Sequence, residues 1–317
     1  MGGGRPCTTR VQGRALNLAL YLIGTGGRVI FTPTLPSPIQ GEGISVKKES
    51  LVSFTIALAG KGGTGKTTLA ALTIRYIIET LGESPLGVDA DPNSSLGTAL
   101  GVEYEKAISD MREGIIEKRL DFPAGMSKER YIEYCIEECI IERSKFDLLV
   151  MGRPEGPGCY CYVNNLLRKY LDKMSSNYSY IVLDNEAGME HLSRRTTNRV
   201  DLMLVVCEPT IVGVLTAKRI LKLTETLPLS IKGKAVILNK VSLSTLDKKV
   251  QEVLHKEGLE PKASFLYDDE IFFASSGGIS LLEISKDNAT YKALSQFLKE
   301  YVPAGGLQAT VRQKEST

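Results

Sequence analysis

One octapeptide constrains this chain more than any other feature. GKGGTGKT, Gly60–Thr67, closes the apolar run FTIALAG and opens the helical pattern GKTTLAALTIRYIIETL. It satisfies the spacing G-x-x-x-x-G-K-[ST], which demands a strand, a tight glycine turn and a helix in direct succession. The glycines let the backbone curl until its N–H groups and the helix N-terminus converge on one point, where negative charge is stabilised. Gly60, Gly62, Gly63, Thr64 and Gly65 would form that cradle, with Thr68 completing the binding set. Lys66 would pair with β- and γ-phosphates, and the Thr67 hydroxyl would ligate Mg²⁺. A chain built round such a loop binds a nucleotide.

From Ser53 onward, strand and helix patterns alternate. LGVDAD, FDLLVMG, YIVLD, DLMLVVCEP and KAVILNK are further apolar runs with helical patterns between them. Strands apolar on both faces and separated by helices predict a doubly wound, mostly parallel α/β sheet with helices on both faces. With 317 residues, 43% of them hydrophobic, the chain has enough apolar side chains to bury such a sheet in one large domain. The expected boundaries are 51–302 for the nucleotide-binding domain and 303–317 for a polar, disordered tail.

Residues 1–50 do not fit this pattern. Arginines precede the short apolar run ALNLALYLIG (Ala15–Gly24), the outline of a signal peptide. The phrase TPTLPSPIQGEG instead looks like translated intergenic repeat, so the reading adopted is a disordered or artefactual extension with the true start near Val52. Without those residues the chain has 33 basic against 35 acidic side chains, a net charge of −2. That balance gives no electrostatic case for nucleic-acid binding. No apolar run is long enough to cross a bilayer, and six cysteines are too few for a disulfide scaffold. The expected compartment is the reducing cytoplasm.

Lys61 is the informative extra, because a second cation beside Lys66 repels it unless shared anions stabilise both. KGGTGKTT resembles the deviant phosphate loop of the dimeric ATPases that include the nitrogenase iron protein and the septum-site and plasmid-partition ATPases. The resemblance implies that Lys61 reaches across a homodimer to the partner's nucleotide, much as an arginine finger does. It also implies roles for the acids at the strand ends. In GVDADPN, Asp91 would orient or deprotonate the attacking water and Asp89 would support the Mg²⁺ shell. Asp184, ending YIVLD, would hold Mg²⁺ through water, and Gly188 in DNEAG would offer its N–H to the γ-phosphate. Asn239 in ILNKV carries an amide able to donate to and accept from adenine. A guanine site usually reads N-K-x-D, and here the last position is Ser242, which favours ATP.

Cys159 and Cys161, in EGPGCYCYVNN, precede a helical pattern. A helix N-terminus favours the thiolate, the form that binds metal. Two thiolates do not close a four-coordinate site, whereas a twofold axis beside them would bring four together, suited to Zn²⁺ or Ni²⁺. GRPEGPGCYCYVNNLLR and VLDNEAGMEHLSRRTT resemble the accessory ATPases that mature nickel carbon monoxide dehydrogenase (the CooC type), with sister proteins serving acetyl-CoA synthase. The likeness runs from about Ser53 to Val302. It implies that the C-x-C pair binds nickel at the dimer interface and that ATP controls dimerisation.

The remaining candidates read as structure. Cys135 and Cys139 are four apart in a helical pattern and share a face, an arrangement that can chelate, but a core role is the simpler reading. Cys207 ends a buried strand, and Cys7 lies in the extension. His191 would sit in the second switch, where helix packing is the simpler view, and His255 is the other histidine. Arg194, Arg195 and Arg199 suit either a partner surface or a solvated helix face. Three functional classes follow: an ATP-driven nickel metallochaperone, an ATP-dependent electron donor like the nitrogenase iron protein, and a positioning ATPase on membrane or DNA. The electron donors use two cysteines far apart, unlike C-x-C. The positioning ATPases need a C-terminal amphipathic helix or a basic surface, which this chain lacks. The metallochaperone is the expectation, with no nucleic-acid or membrane partner.

Overall fold

The strand that precedes the glycine loop, β1 (Phe54–Gly60), is buried along its whole length and lies inside the sheet. The computed structural model describes residues 53–117, 125–152, 169, 172, 174, 177–185, 199–227, 229–242 and 246–306, and all elements below are drawn from these. The other strands are β2 (Leu86–Ala90), β3 (Ile140–Glu142), β4 (Asp147–Val150), β5 (Tyr180–Asn185), β6 (Arg199–Cys207), β7 (Ser230–Val241) and β8 (Pro261–Leu266). Their order in the sheet is β3-β4-β2-β5-β1-β6-β7-β8, and only β3 runs antiparallel to its neighbour.

The mostly parallel sheet is therefore as the apolar runs predict, with two edge strands that they do not show. β3 is a three-residue strand inside YIEYCIEECIIE, a stretch whose spacing reads as one continuous helix. β8 alternates half-buried and exposed residues except at Phe265, which is buried in the core, and begins with Pro261, where no ladder N–H is needed.

The helices are α1 (Lys66–Tyr76), α2 (Ser95–Ala99), α3 (Ile108–Glu117), α4 (Lys128–Glu137), α5 (Ile211–Leu223), α6 (Lys248–Lys256), α7 (Asp269–Ser276) and α8 (Ala289–Tyr301). A π-helical turn, Ile77–Leu81, extends α1. Alternate strand residues feed two cores, one on each face. Ile56, Leu58, Val182 and Leu204 pack with residues of α1, α2, α7 and α8. Ala57, Ala59, Leu183 and Val205 pack with residues of α3, α4, α5 and α6. Burying an aliphatic side chain such as Leu58 contributes ~1.5–3 kcal/mol.

Two consequences bear on function. The chain crosses β1 in passing from β5 to β6, so the winding reverses there and opens a crevice at the C-terminal ends of the strands. The ordered chain also continues past Val302, into the stretch expected to be a disordered tail. The Tyr180 hydroxyl donates to the Pro303 carbonyl at 2.5 Å and accepts from the Gly306 N–H at 2.9 Å. Among the described residues, no helix is long and apolar enough to cross a membrane.

Candidate functional site

The glycine loop fills the crevice beside β1. Gly60 lies so close to β6 that a Cβ there would collide with the Val206 carbonyl oxygen. Gly65, at φ 93°, sits in the left-handed region that favours glycine, and a Cβ there would strike the Asn239 amide. The chain then enters α1 with Gly65 as its N-terminal cap, no side chain bonded to the first N–H groups and no acid in the first turn. Contrast α4, α5, α6, α7 and α8, each capped by a side chain: Ser127, Thr210, Asp247, Asp268 and Asn288. The uncapped N–H groups of α1 thus leave the positive end of its dipole available to an anion.

Lys66 is buried, and its ammonium donates to the Lys61 carbonyl at 3.2 Å. The Thr64 hydroxyl donates to the same oxygen at 2.9 Å. Lys61 itself is exposed. The Thr67 hydroxyl lies 3.3 Å from the Ser95 hydroxyl at the start of α2.

The acids divide into two roles. Asp89 accepts from the Leu96 N–H at 2.8 Å and the Asp91 N–H at 3.2 Å, so it fastens the loop after β2. Asp184 is 0% exposed, and neither of its oxygens accepts a hydrogen bond of regular geometry. Burial is the largest cause pushing Asp184 up to about 6, with Asp91 adding to it, while the Thr67 hydroxyl and the Lys66 ammonium act the other way. Asp89 is pushed up to about 7, by burial first and then by Asp184. An orphaned buried carboxylate beside a threonine hydroxyl suits a hard cation with oxygen ligands, so Thr67 and Asp184 fit Mg²⁺. Asp91 lies at the mouth, where its Oδ1 accepts from the Asn93 backbone at 2.8 Å and side chain at 2.9 Å.

The loop, α1 and Asp91 border a cavity of about 510 Å³ whose far wall is formed by Leu266, Tyr267, Asp268, Phe272 and Thr290. Its volume suits a small organic ligand. The sequence alone does not single out this wall, because β8 is not legible as a strand. Asn239 also lines the cavity, as its proposed role at the nucleotide requires, but its amide nitrogen donates to the Thr64 carbonyl at 2.9 Å. Next to it Lys240, to which the sequence assigns no role, donates to the Gly63 carbonyl at 2.6 Å.

Cys159, Cys161, Gly188, His191, Arg194 and Arg195 lie outside the described residues. Cys139 follows the end of α4 and is buried, which pushes its thiol up to about 11; Cys207 is buried in β6 and pushed up to about 12. Both are held as thiols, in keeping with a core role. Among the described residues, no cluster of three or more His, Cys, Asp or Glu is placed to hold a metal.

Residues 55–281 match the CobQ/CobB/MinD/ParA nucleotide binding domain. An uncharacterised ATP-binding protein of Methanocaldococcus jannaschii is 41% identical over 249 residues, 78% of this chain and 98% of that protein. The carbon monoxide dehydrogenase accessory protein CooC of Rhodospirillum rubrum is 30% identical over 275 residues, 80% of this chain and 99% of its own length. In fold, the cell division ATPase MinD of Pyrococcus furiosus superposes with a TM-score of 0.57 at 18% identity, covering 78% of this chain and 98% of its own. With that domain spanning most of its length and the phosphate loop built as above, this chain belongs to the CobQ/CobB/MinD/ParA family of nucleotide-binding proteins.

Proposed function

We propose that this chain is an ATPase that works as a nucleotide-controlled homodimer and carries nickel to carbon monoxide dehydrogenase. One observation carries the ATPase reading. The uncapped start of α1 and Lys66 border one cavity, and behind them the buried Asp184 carboxylate, without a regular hydrogen-bond partner, is held by the Thr67 hydroxyl and the Lys66 ammonium. That combination suits a polyphosphate and its counter-cation.

In this reading Lys66 exchanges the Lys61 carbonyl for phosphate oxygens when nucleotide binds. Mg²⁺, held by Thr67 and Asp184, would supply neutralising charge to the β- and γ-phosphates. Asp91 takes the proton of the water that attacks the γ-phosphorus as the bond to ADP breaks. Lys61, exposed at the loop tip, is free to reach a second subunit and complete its site. Nickel is the cargo. That part rests on the Cys159–Cys161 pair in the sequence and on the likeness to the R. rubrum accessory protein over nearly that protein's whole length.

The test is equilibrium dialysis of the reduced protein against Ni²⁺, with and without a non-hydrolysable ATP analogue. The expected result is about one metal per two chains, dependent on nucleotide and lost in Cys159→Ser and Cys161→Ser. Nickel binding indifferent to both cysteines, or none in either state, would sink the cargo reading and leave an ATPase with another client.

A further inference from the structure

We infer that Asn239 and Lys240 are positioning residues of the phosphate cradle, through which the end of β7 clamps the glycine loop by two successive carbonyls. The inference rests on the reading of Gly60–Thr67 as a phosphate loop. It gives this pair a task at the phosphates, distinct from recognition of the base.

The geometry is specific. Asn239 Nδ2 donates to the Thr64 carbonyl at 2.9 Å, and Lys240 Nζ donates to the Gly63 carbonyl at 2.6 Å. A trans peptide is planar, with its C=O and N–H on opposite sides. Holding the Thr64 carbonyl on Asn239 therefore turns the Gly65 N–H away from β7. Holding the Gly63 carbonyl on Lys240 turns the Thr64 N–H toward the Lys61 carbonyl, 3.4 Å away. Two adjacent peptide planes, in a stretch where Gly63 and Gly65 both have positive φ, are thereby fixed before any ligand arrives.

Lys240 adopts a backbone conformation to do this. Its φ is 59°, one of two positive values among the described non-glycine residues, and the β7–β8 register slips between Leu238 and Val241. A regular strand needs neither feature. Glu208, just past the end of β6, lies 3.9 Å from the Lys240 ammonium. Asn239 is buried, and a Cβ on Gly65 would strike its amide, so the loop and the strand end fit only with glycine there. A glycine-rich loop left untethered would have to be ordered by its ligand, at a cost in affinity.

Lys240→Gly separates the clamp from mere packing, because glycine tolerates φ 59° yet carries no ammonium. Its thermal stability should equal or exceed wild type. Its affinity for inorganic tripolyphosphate should fall about tenfold, roughly the loss of one charge-assisted hydrogen bond. ATP and GTP affinity should fall by the same factor, leaving their ratio unchanged, and Lys240→Arg should recover part of the loss. Tripolyphosphate binding equal to wild type in Lys240→Gly would overturn the inference. So would a shifted ATP-to-GTP ratio with tripolyphosphate unaffected, which would make the pair a base reader. A wild-type protein that binds neither tripolyphosphate nor ATP would overturn the phosphate-loop reading itself, a separate outcome.

Discussion

Asp89 and Asp184 stand opposite one another in register across β2 and β5, and neither carboxylate is exposed to solvent. Cross-strand partners share a face, so both acids are turned to the side of the sheet covered by α1. Two carboxylates so placed resist simultaneous ionisation, and burial adds to that resistance. The backbone N–H groups of Leu96 and Asp91 satisfy Asp89, whereas Asp184 has no such donors. In the proposed function this asymmetry would make Asp184 the cation-facing member and Asp89 its support.

A pH dependence follows. Both folded-state values are raised, to about 6 and about 7, above the unfolded 3.8. The stability each contributes is fully present below about pH 3.8 and is lost as pH rises through those values. At ~1.4 kcal/mol per pK unit, the rise at Asp184 from 3.8 to about 6 penalises the metal-free protein by roughly 3 kcal/mol near pH 8. Asp184→Asn should therefore raise the melting temperature in EDTA at pH 8 by several degrees, with the gain disappearing toward pH 4. The same substitution should remove the Mg²⁺ dependence of nucleotide affinity. Thermal denaturation across that pH range checks the first part, and a gain independent of pH would refute the assignment.

Lys61 and Asp91 provide a test of action between subunits. If Lys61 completes the partner's site, Lys61→Ala should bind ATP almost normally yet hydrolyse it poorly, as should Asp91→Asn. Mixing the two variants should restore activity, because each mixed dimer has one site with its own Asp91 and the partner's Lys61. Random exchange would give roughly a quarter of wild-type turnover. Phosphate release from the mixture is the readout. Activity no greater than the mean of the separate variants would place Lys61 in its own subunit's chemistry.

The parts of the site legible in the sequence are those fixed by local chemistry. GKGGTGKT can be read because each position answers a backbone requirement: a collision at Gly60, a left-handed turn at Gly65, an uncapped helix start at Lys66. Asp89, Asp91 and Asp184 can be read as acids at strand ends, but their division of labour depends on a register between strands far apart in sequence. Lys240 gives no sequence signal, since an exposed lysine at a strand end is the ordinary case and its contact with Gly63 spans 177 positions. The wall formed by Leu266, Tyr267 and Asp268 is hidden for a related reason. β8 has only the half-apolar pattern of an edge strand, so nothing local shows that its end faces the loop.

One amide, that of Asn288, ties part of that wall together, which makes it open to test. Asn288 is buried, and its Oδ1 accepts from the Tyr291 N–H at 2.9 Å, capping α8. Its Nδ2 donates to both Asp268 oxygens, at 3.1 and 3.0 Å, and to Glu270 Oε2 at 2.9 Å. Asp268 in turn caps α7 through the Ile271 N–H at 3.1 Å. One side chain thus ties together the starts of two helices that border the cavity. Asn288→Ala should cost about 1–3 kcal/mol, for the lost cap and the two carboxylates left without their shared donor. Asn288→Asp keeps the cap but sets a third carboxylate against the other two, so at pH 7.5 it should destabilise more than alanine and recover toward pH 4. Urea denaturation at the two pH values distinguishes these outcomes. An aspartate variant as stable as wild type at pH 7.5 would mean that Asn288 is not the donor on which Asp268 and Glu270 depend.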